Sequence, residues 1–273
     1  MRSNLILFTL ILIPLIFIQR ASSATSAANL GTEPLGCESA KEFITTFEFL
    51  RDHLDLAGSG DNAVKLASQV SAGCTGAAKR FIQTAKFMKK VDLPLTEILS
   101  TSVEFAQKED SHADAFNQIF KRAYAEDGFD LDMVTSLQLA KKISVEYPGN
   151  VQRALKDFET VSEFCLKKTE VTVSRQACAE LAKNISLNGK EKAPMASEVF
   201  IEAYRYIKTT IGLTAHDALK ISQDLVKIHP LAFSNFKLSY EYAISDKGLK
   251  SNKEQSVLFG KKMAEQTKNS SAN

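Results

Sequence analysis

The sequence predicts an all-α protein, an α-solenoid or solenoid-like bundle of about six stacked helical hairpins. Two observations carry this. An aromatic residue recurs as Phe43, Phe81, Phe116, Phe158, Phe200 and Phe236, at spacings of 38, 35, 42, 42 and 36 residues. From 21 to 24 residues after each of them comes a degenerate five-residue motif: LASQV from Leu66, FAQKE from Phe105, LAKKI from Leu139, LAKNI from Leu181, ISQDL from Ile221 and FGKKM from Phe259. A period of roughly 20 to 50 residues marks stacked units, each of which buries its apolar face only against its neighbours.

Each unit divides into two helical halves. In the first, apolar residues stand at the aromatic anchor and three, four and seven residues beyond it, as in Phe200, Ala203, Tyr204 and Ile207. That is the spacing of one helix face. In the second half, Val134, Leu137, Leu139, Ala140 and Ile143 form a comparable stripe. Between the halves, thirteen residues after the anchor, stands Leu56, Phe129, Val171, Leu213 or Leu249, with Leu93 one place earlier in the second unit. Pro94, Pro194 and Pro230 fall where helices should begin, and Thr214 with Asp217 resembles a capping box. No segment alternates as a strand does. In general form the pattern resembles the helical-hairpin repeats of the HEAT and tetratricopeptide kind. It lacks the Trp and Gly-Tyr signature of the latter, and its unit length varies.

The ends read differently. Residues 1–24 carry Arg2, an apolar run from Leu5 to Ile18 broken by Pro14, and small residues at Ser22 and Ala24. This is the order of a cleaved signal peptide, its run short of the roughly 20 residues a spanning helix needs. Residues 25–36 are expected to be a flexible N-terminal segment, 37–267 a single helical repeat domain, and 268–273 a disordered polar tail. Arg2 and Arg20 are the only charged residues before residue 25, so the rest balances 32 Asp and Glu with as many Lys and Arg. A neutral chain argues against nucleic acid, and no second apolar run predicts a transmembrane anchor after cleavage. The expected location is secreted or periplasmic.

Four cysteines in an exported chain favour disulfides. Cys37 precedes the first helix of unit one and Cys74 follows its second, so an antiparallel hairpin returns both to one end. Cys165 ends the first helix of unit four and Cys178 begins the second. The expected pairs are therefore Cys37 with Cys74 and Cys165 with Cys178.

Catalytic signals are sparse. None of His53, His112, His216 and His229 lies in an HExxH or comparable metal-binding spacing, and there is neither a GxSxG nor a phosphate-binding glycine loop. Glu109, Asp110, His112 and Asp114 cluster directly before a predicted helix, where acids serve its N-terminus. The stretch EDGFDLD at 126–132 lacks the twelve-residue calcium-loop pattern and reads as a turn followed by a capped helix. No cofactor or metal site is expected.

Two stripes are candidate binding surfaces. Six residues past each anchor stand Phe49, Phe87, Arg122, Phe164, Tyr206 and Tyr242. Their rings either pack between units or form an aromatic ladder along a groove suited to an extended peptide or glycan. Inside the second-helix motif, Lys108, Lys141, Lys142, Lys183, Lys261 and Lys262 form a broken basic ridge, interrupted by Asp224. It is either a solvated face or a surface for acidic partners or anionic lipid. The sequence thus points to a non-enzymatic scaffold binding a protein or peptide. The alternatives are an enzyme with a dispersed acidic site acting on a cell-wall or glycan polymer, and a carrier of lipid or another hydrophobic ligand.

Overall fold

The structure is a computed structural model that describes residues 38–167, 171–189 and 193–270. The described chain is all-helical, and its helices pack as six successive hairpins. Unit one joins α1 (Ser39–Asp52), a short α2 (Leu54–Ala57) and α3 (Gly60–Ser71). Unit two is α4 (Ala77–Lys90) with α5 (Leu95–Ala106), and unit three α6 (Asp110–Tyr124) with α7 (Met133–Ser144). Unit four is α8 (Val151–Leu166) with α9 (Arg175–Ser186). In unit five α10 (Ala196–Arg205) loosens into a π turn at Tyr206–Thr210 before α11 (Ala215–Ile228). Unit six is α12 (Ala232–Ile244) with α13 (Lys253–Ser270), which continues as helix into the segment expected to be a polar tail. The expected signal peptide, the 25–36 segment and residues 271–273 lie outside the described residues.

Each first helix packs chiefly on its own second helix, and α1, α4, α6, α8 and α10 follow one another as a layer. The anchors explain why. Phe81, Phe116, Phe158, Phe200 and Phe236 are completely buried, while Phe43 of unit one, the first of the described units, is half-buried. The second residue of the repeated motif is Ala67, Ala106, Ala140, Ala182, Ser222 or Gly260, small in every unit and buried in every unit. A small residue there lets the paired helices approach closely. At Gly260 a Cβ would stand 3.0 Å from both the ring and the carbonyl oxygen of Phe236.

The expected helix boundaries are present. Pro94 is the N-cap of α5, Pro194 and Pro230 lie just before α10 and α12, and the Thr214 hydroxyl accepts the Asp217 N–H at 3.1 Å. Asp132 caps α7 by accepting the Thr135 N–H at 2.9 Å, so EDGFDLD is a turn and a cap. Gly128 is required within it, since a Cβ would lie 2.0 Å from the Arg122 carbonyl oxygen. Beyond that turn the chain folds back, and the Phe129 N–H donates to the Arg122 carbonyl at 3.0 Å. Phe129 and its counterparts Leu56, Leu93 and Val171 are buried; Leu213 is half-buried and Leu249 exposed.

Cys165 and Cys178 form a disulfide with Cα atoms 5.8 Å apart, joining the end of α8 to α9 as expected. Cys74 is also disulfide-bonded. Its expected partner, Cys37, lies outside the described residues.

Candidate functional site

The aromatic stripe runs between units. Phe49 meets the anchor Phe81 edge-on at 6.3 Å, Phe87 meets Phe116 and Phe120 at 6.2 and 5.7 Å, and Phe164 meets Phe200 and Tyr204 at 6.1 and 5.5 Å. Tyr206 packs edge-on against Phe233 and Tyr240. Edge-to-face pairs of this kind add roughly 0.5–1.5 kcal/mol each beyond their burial. A cation from the following unit covers each Phe: Lys86 over Phe49, Lys121 over Phe87 and Arg205 over Phe164, at 5.6 to 5.7 Å from the ring centroid. Each of these cations stands five residues past its own anchor. Where the ring is Tyr206, that position holds an acid, Glu241, which accepts the tyrosine hydroxyl at 3.1 Å. Burial and the neighbouring Glu241 push the pKa of the Tyr206 hydroxyl well up. The stripe is therefore a packing seam. Of its five aromatic members, only Tyr242, in the last unit, is exposed.

A second set of inter-unit contacts sits one residue before the anchor. Glu42 of α1 accepts the N–H groups of Gly76 and Ala78 at 2.8 and 2.7 Å, capping α4 from the unit before it. Asp157 of α8 does the same for α10, accepting the Ser197 N–H at 2.8 Å. Arg80 of α4 donates to the Ala106 carbonyl at the end of α5 in its own unit and reaches the next unit by donating to Asp110 at the start of α6. A helix start leaves four N–H groups unsatisfied, and a buried carboxylate supplies both acceptor and favourable charge there. The buried acids are thus committed to helix ends. The Glu109 to Asp114 cluster is likewise structural: Asp110 pairs with Lys79 and Arg80, whose hydrogen bonds hold its pKa down, and His112 Nδ1 is hydrogen-bonded to the Ser144 carbonyl. Among the described residues no group of three His, Cys, Asp or Glu could hold a metal ion.

Asp157 is completely buried, and that burial raises its pKa above the ordinary carboxylate value. A raised folded-state value means that the folded protein holds this proton more tightly. The stability linked to the group is then full below about pH 3.8 and is lost as pH climbs through the folded pKa. Asp157→Ala orphans the N–H groups at the start of α10 and is expected to cost about 1–3 kcal/mol. Asp157→Asn keeps an acceptor and removes the charge. Chemical denaturation across pH should show Asn gaining on the wild type as pH rises to neutral; a pH-independent difference would contradict this.

The basic ridge has a different setting. Lys141, Lys142 and Lys183 line one open groove of about 490 Å³ between α7 and α9. Its apolar lining is Leu131, Leu137, Leu139 and Ala179, with Val134 at its edge, and Glu97, Glu146 and Glu180 share its rim with the lysines. Lys141 pairs with Glu104 of the preceding unit at 3.2 Å, Lys142 with Glu146, and Lys183 with Glu180 at 2.6 Å. The rim therefore carries alternating charges, and Val134 stands 61% exposed among them. Lys261 lines a similar groove of about 410 Å³ between α11 and α13, with Ile221, Leu225 and Ile228 as floor and Asp224, Lys227 and Glu265 beside it. Lys262 is exposed and outside both grooves, and Lys108 borders a separate polar notch with Arg80 and His112.

The class these features define is an all-α helical repeat with an aromatic seam between its units and open grooves in its second-helix layer. Comparison with known proteins adds no relative: no family model matches the chain, and no curated protein or solved structure is similar to it.

Proposed function

We propose that this chain is an exported, non-enzymatic binding scaffold that holds an extended protein or peptide segment in the groove between α7 and α9. The observation that carries the reading is the construction of that groove, an apolar lining with exposed Val134 at its edge and a rim of paired lysines and glutamates. Its volume falls in the range of roughly 300–1,000 Å³ common for ligand sites. A rim of both signs favours an amphipathic segment over a polyanion or an anionic lipid surface, because each lysine already faces an acid. The buried acids Glu42 and Asp157 cap helices, which weighs against a dispersed acidic active site. The disulfide supports export, since such bonds persist in oxidising compartments.

The test is selection of a displayed random-peptide library on the purified protein and on Val134→Glu. Peptides with apolar side chains flanked by charges of both signs should be enriched on the wild type and bind the variant at least about tenfold more weakly. Stability should change by less than about 0.5 kcal/mol, since Val134 is exposed. Equal enrichment on both proteins would remove the groove from the account. Bound lipid in the native protein would favour the carrier, and hydrolysis of a glycan polymer the enzyme.

A further inference from the structure

The two ends of the stack are unfinished in complementary ways. In units one to five, the aromatic position six residues past the anchor and the apolar position twelve or thirteen residues past it lie buried or half-buried, Arg122 included. In unit six the same positions are Tyr242 and Leu249, exposed at 55% and 52%. A terminal repeat normally carries a polar outer face in order to remain soluble.

At the other end, unit one presents what the internal units use to receive a preceding neighbour. Anchors are completely buried in units two to six, and the residue after the anchor is half-buried there. In unit one the anchor Phe43 is half-buried and Ile44 is 55% exposed. Phe43 and Phe47 stack at 6.1 Å, the same pair of positions as Phe116 with Phe120 and Phe236 with Tyr240, which receive the rings of Phe87 and Tyr206.

The seam also follows a pairing rule. A Phe six residues past one anchor meets a cation five residues past the next, as Phe49 meets Lys86, Phe87 meets Lys121 and Phe164 meets Arg205. The one Tyr so paired, Tyr206, has Lys237 of the following unit over its ring at 5.3 Å, and its hydroxyl donates to an acid five residues past the next anchor, Glu241. At the one non-aromatic step, Arg122, the residue at the receiving position is also an acid, Glu163. The last unit ends the series on Tyr242, which calls for an acid. Unit one holds Glu48 at the receiving position, and it is exposed.

We infer that the exposed face of unit six binds unit one of a second copy of this chain, head to tail, with Tyr242 seated on Phe43 and Phe47 and its hydroxyl donating to Glu48. Such a contact uses two different surfaces and so continues the stack from copy to copy instead of closing a symmetric dimer. It is separate from the α7–α9 groove, and either can fail without the other.

Sedimentation velocity over a concentration series tests it with two variants altered only at exposed positions, Tyr242→Asp with Leu249→Asp at the tail and Ile44→Asp with Glu48→Lys at the head. The wild type should grow beyond two copies as concentration rises. Each variant alone should associate at least about tenfold more weakly. Their equimolar mixture should form a dimer and stop there, because one intact head then meets one intact tail. A wild type that stays monomeric throughout overturns the inference, as does a mixture that fails to pair while the wild type associates. Association that appears only on deletion of residues 25–36 also overturns it, by making the chain's own N-terminal segment the occupant of the head.

Discussion

Phe200→Ala is expected to lower the stability of the protein by about 3–5 kcal/mol, the range for removing a fully buried Phe. Phe200 is completely buried and takes the edge of Phe164 from the preceding unit at 6.1 Å. The substitution leaves a cavity at a joint between units, since Ala cannot reach the Phe164 ring and α8 and α10 are held apart by their other contacts. The stripe supplies the control. Phe164 and Tyr242 occupy the same register position, one buried and the other exposed. Phe164→Ala should therefore destabilise by a similar few kcal/mol, whereas Tyr242→Ala in dilute protein should change stability by less than about 0.5 kcal/mol. Urea titration of the three variants checks the pattern. Equal costs at Phe164 and Tyr242 would mean that the seam does not end where the last unit ends.

Removing the Cys165–Cys178 disulfide with Cys165→Ala and Cys178→Ala is expected to cost about 2–4 kcal/mol, chiefly because the unfolded chain regains the freedom that the loop denied it. The loop closed is short, with a sequence separation of 13. It lies at the turn of unit four, between α8, whose Phe164 and Asp157 both reach into unit five, and α9, whose Ala179 and Lys183 line the groove. Loosening this turn should thus reach both the seam and the site. Guanidinium titration with and without reductant gives the measurement. The double variant should lose stability without reductant, and reductant should then take nothing further from it through this bond.

Much of this was legible from one sequence because burial leaves a periodic trace. The Phe anchors and the small second residue of the motif recur because each hairpin packs its two helices together in a similar way, so the hairpin count and the Cys165–Cys178 pairing followed from register alone. The aromatic stripe was visible too, but its side was not. A position about 120° from the anchor lies at the edge of a helix face, and only the neighbouring unit decides whether it is covered. The charged contacts were missed for a related reason. Glu42, Arg80 and Asp157 look like ordinary helix-surface charges, and their partners lie far along the chain, in the following unit for Glu42 and Asp157 and at the unit boundary for Arg80, beyond any local pattern. The available signal was that all three stand directly before an anchor, beside the core. The lysines of the ridge were read without Glu104, which belongs to a different unit and changes the ridge into a rim of mixed charge.

The central claim is that the second-helix layer, and not the aromatic seam, is the face that binds. Hydrogen exchange on the protein purified with whatever it carries from its source compartment, repeated after that material is stripped, measures this most directly. Slower exchange in the bound form over 133–144 and 175–186, with α1, α4, α6 and α8 unchanged, is the result the account predicts. Protection centred on those first helices, with α7 and α9 unaffected, would contradict it.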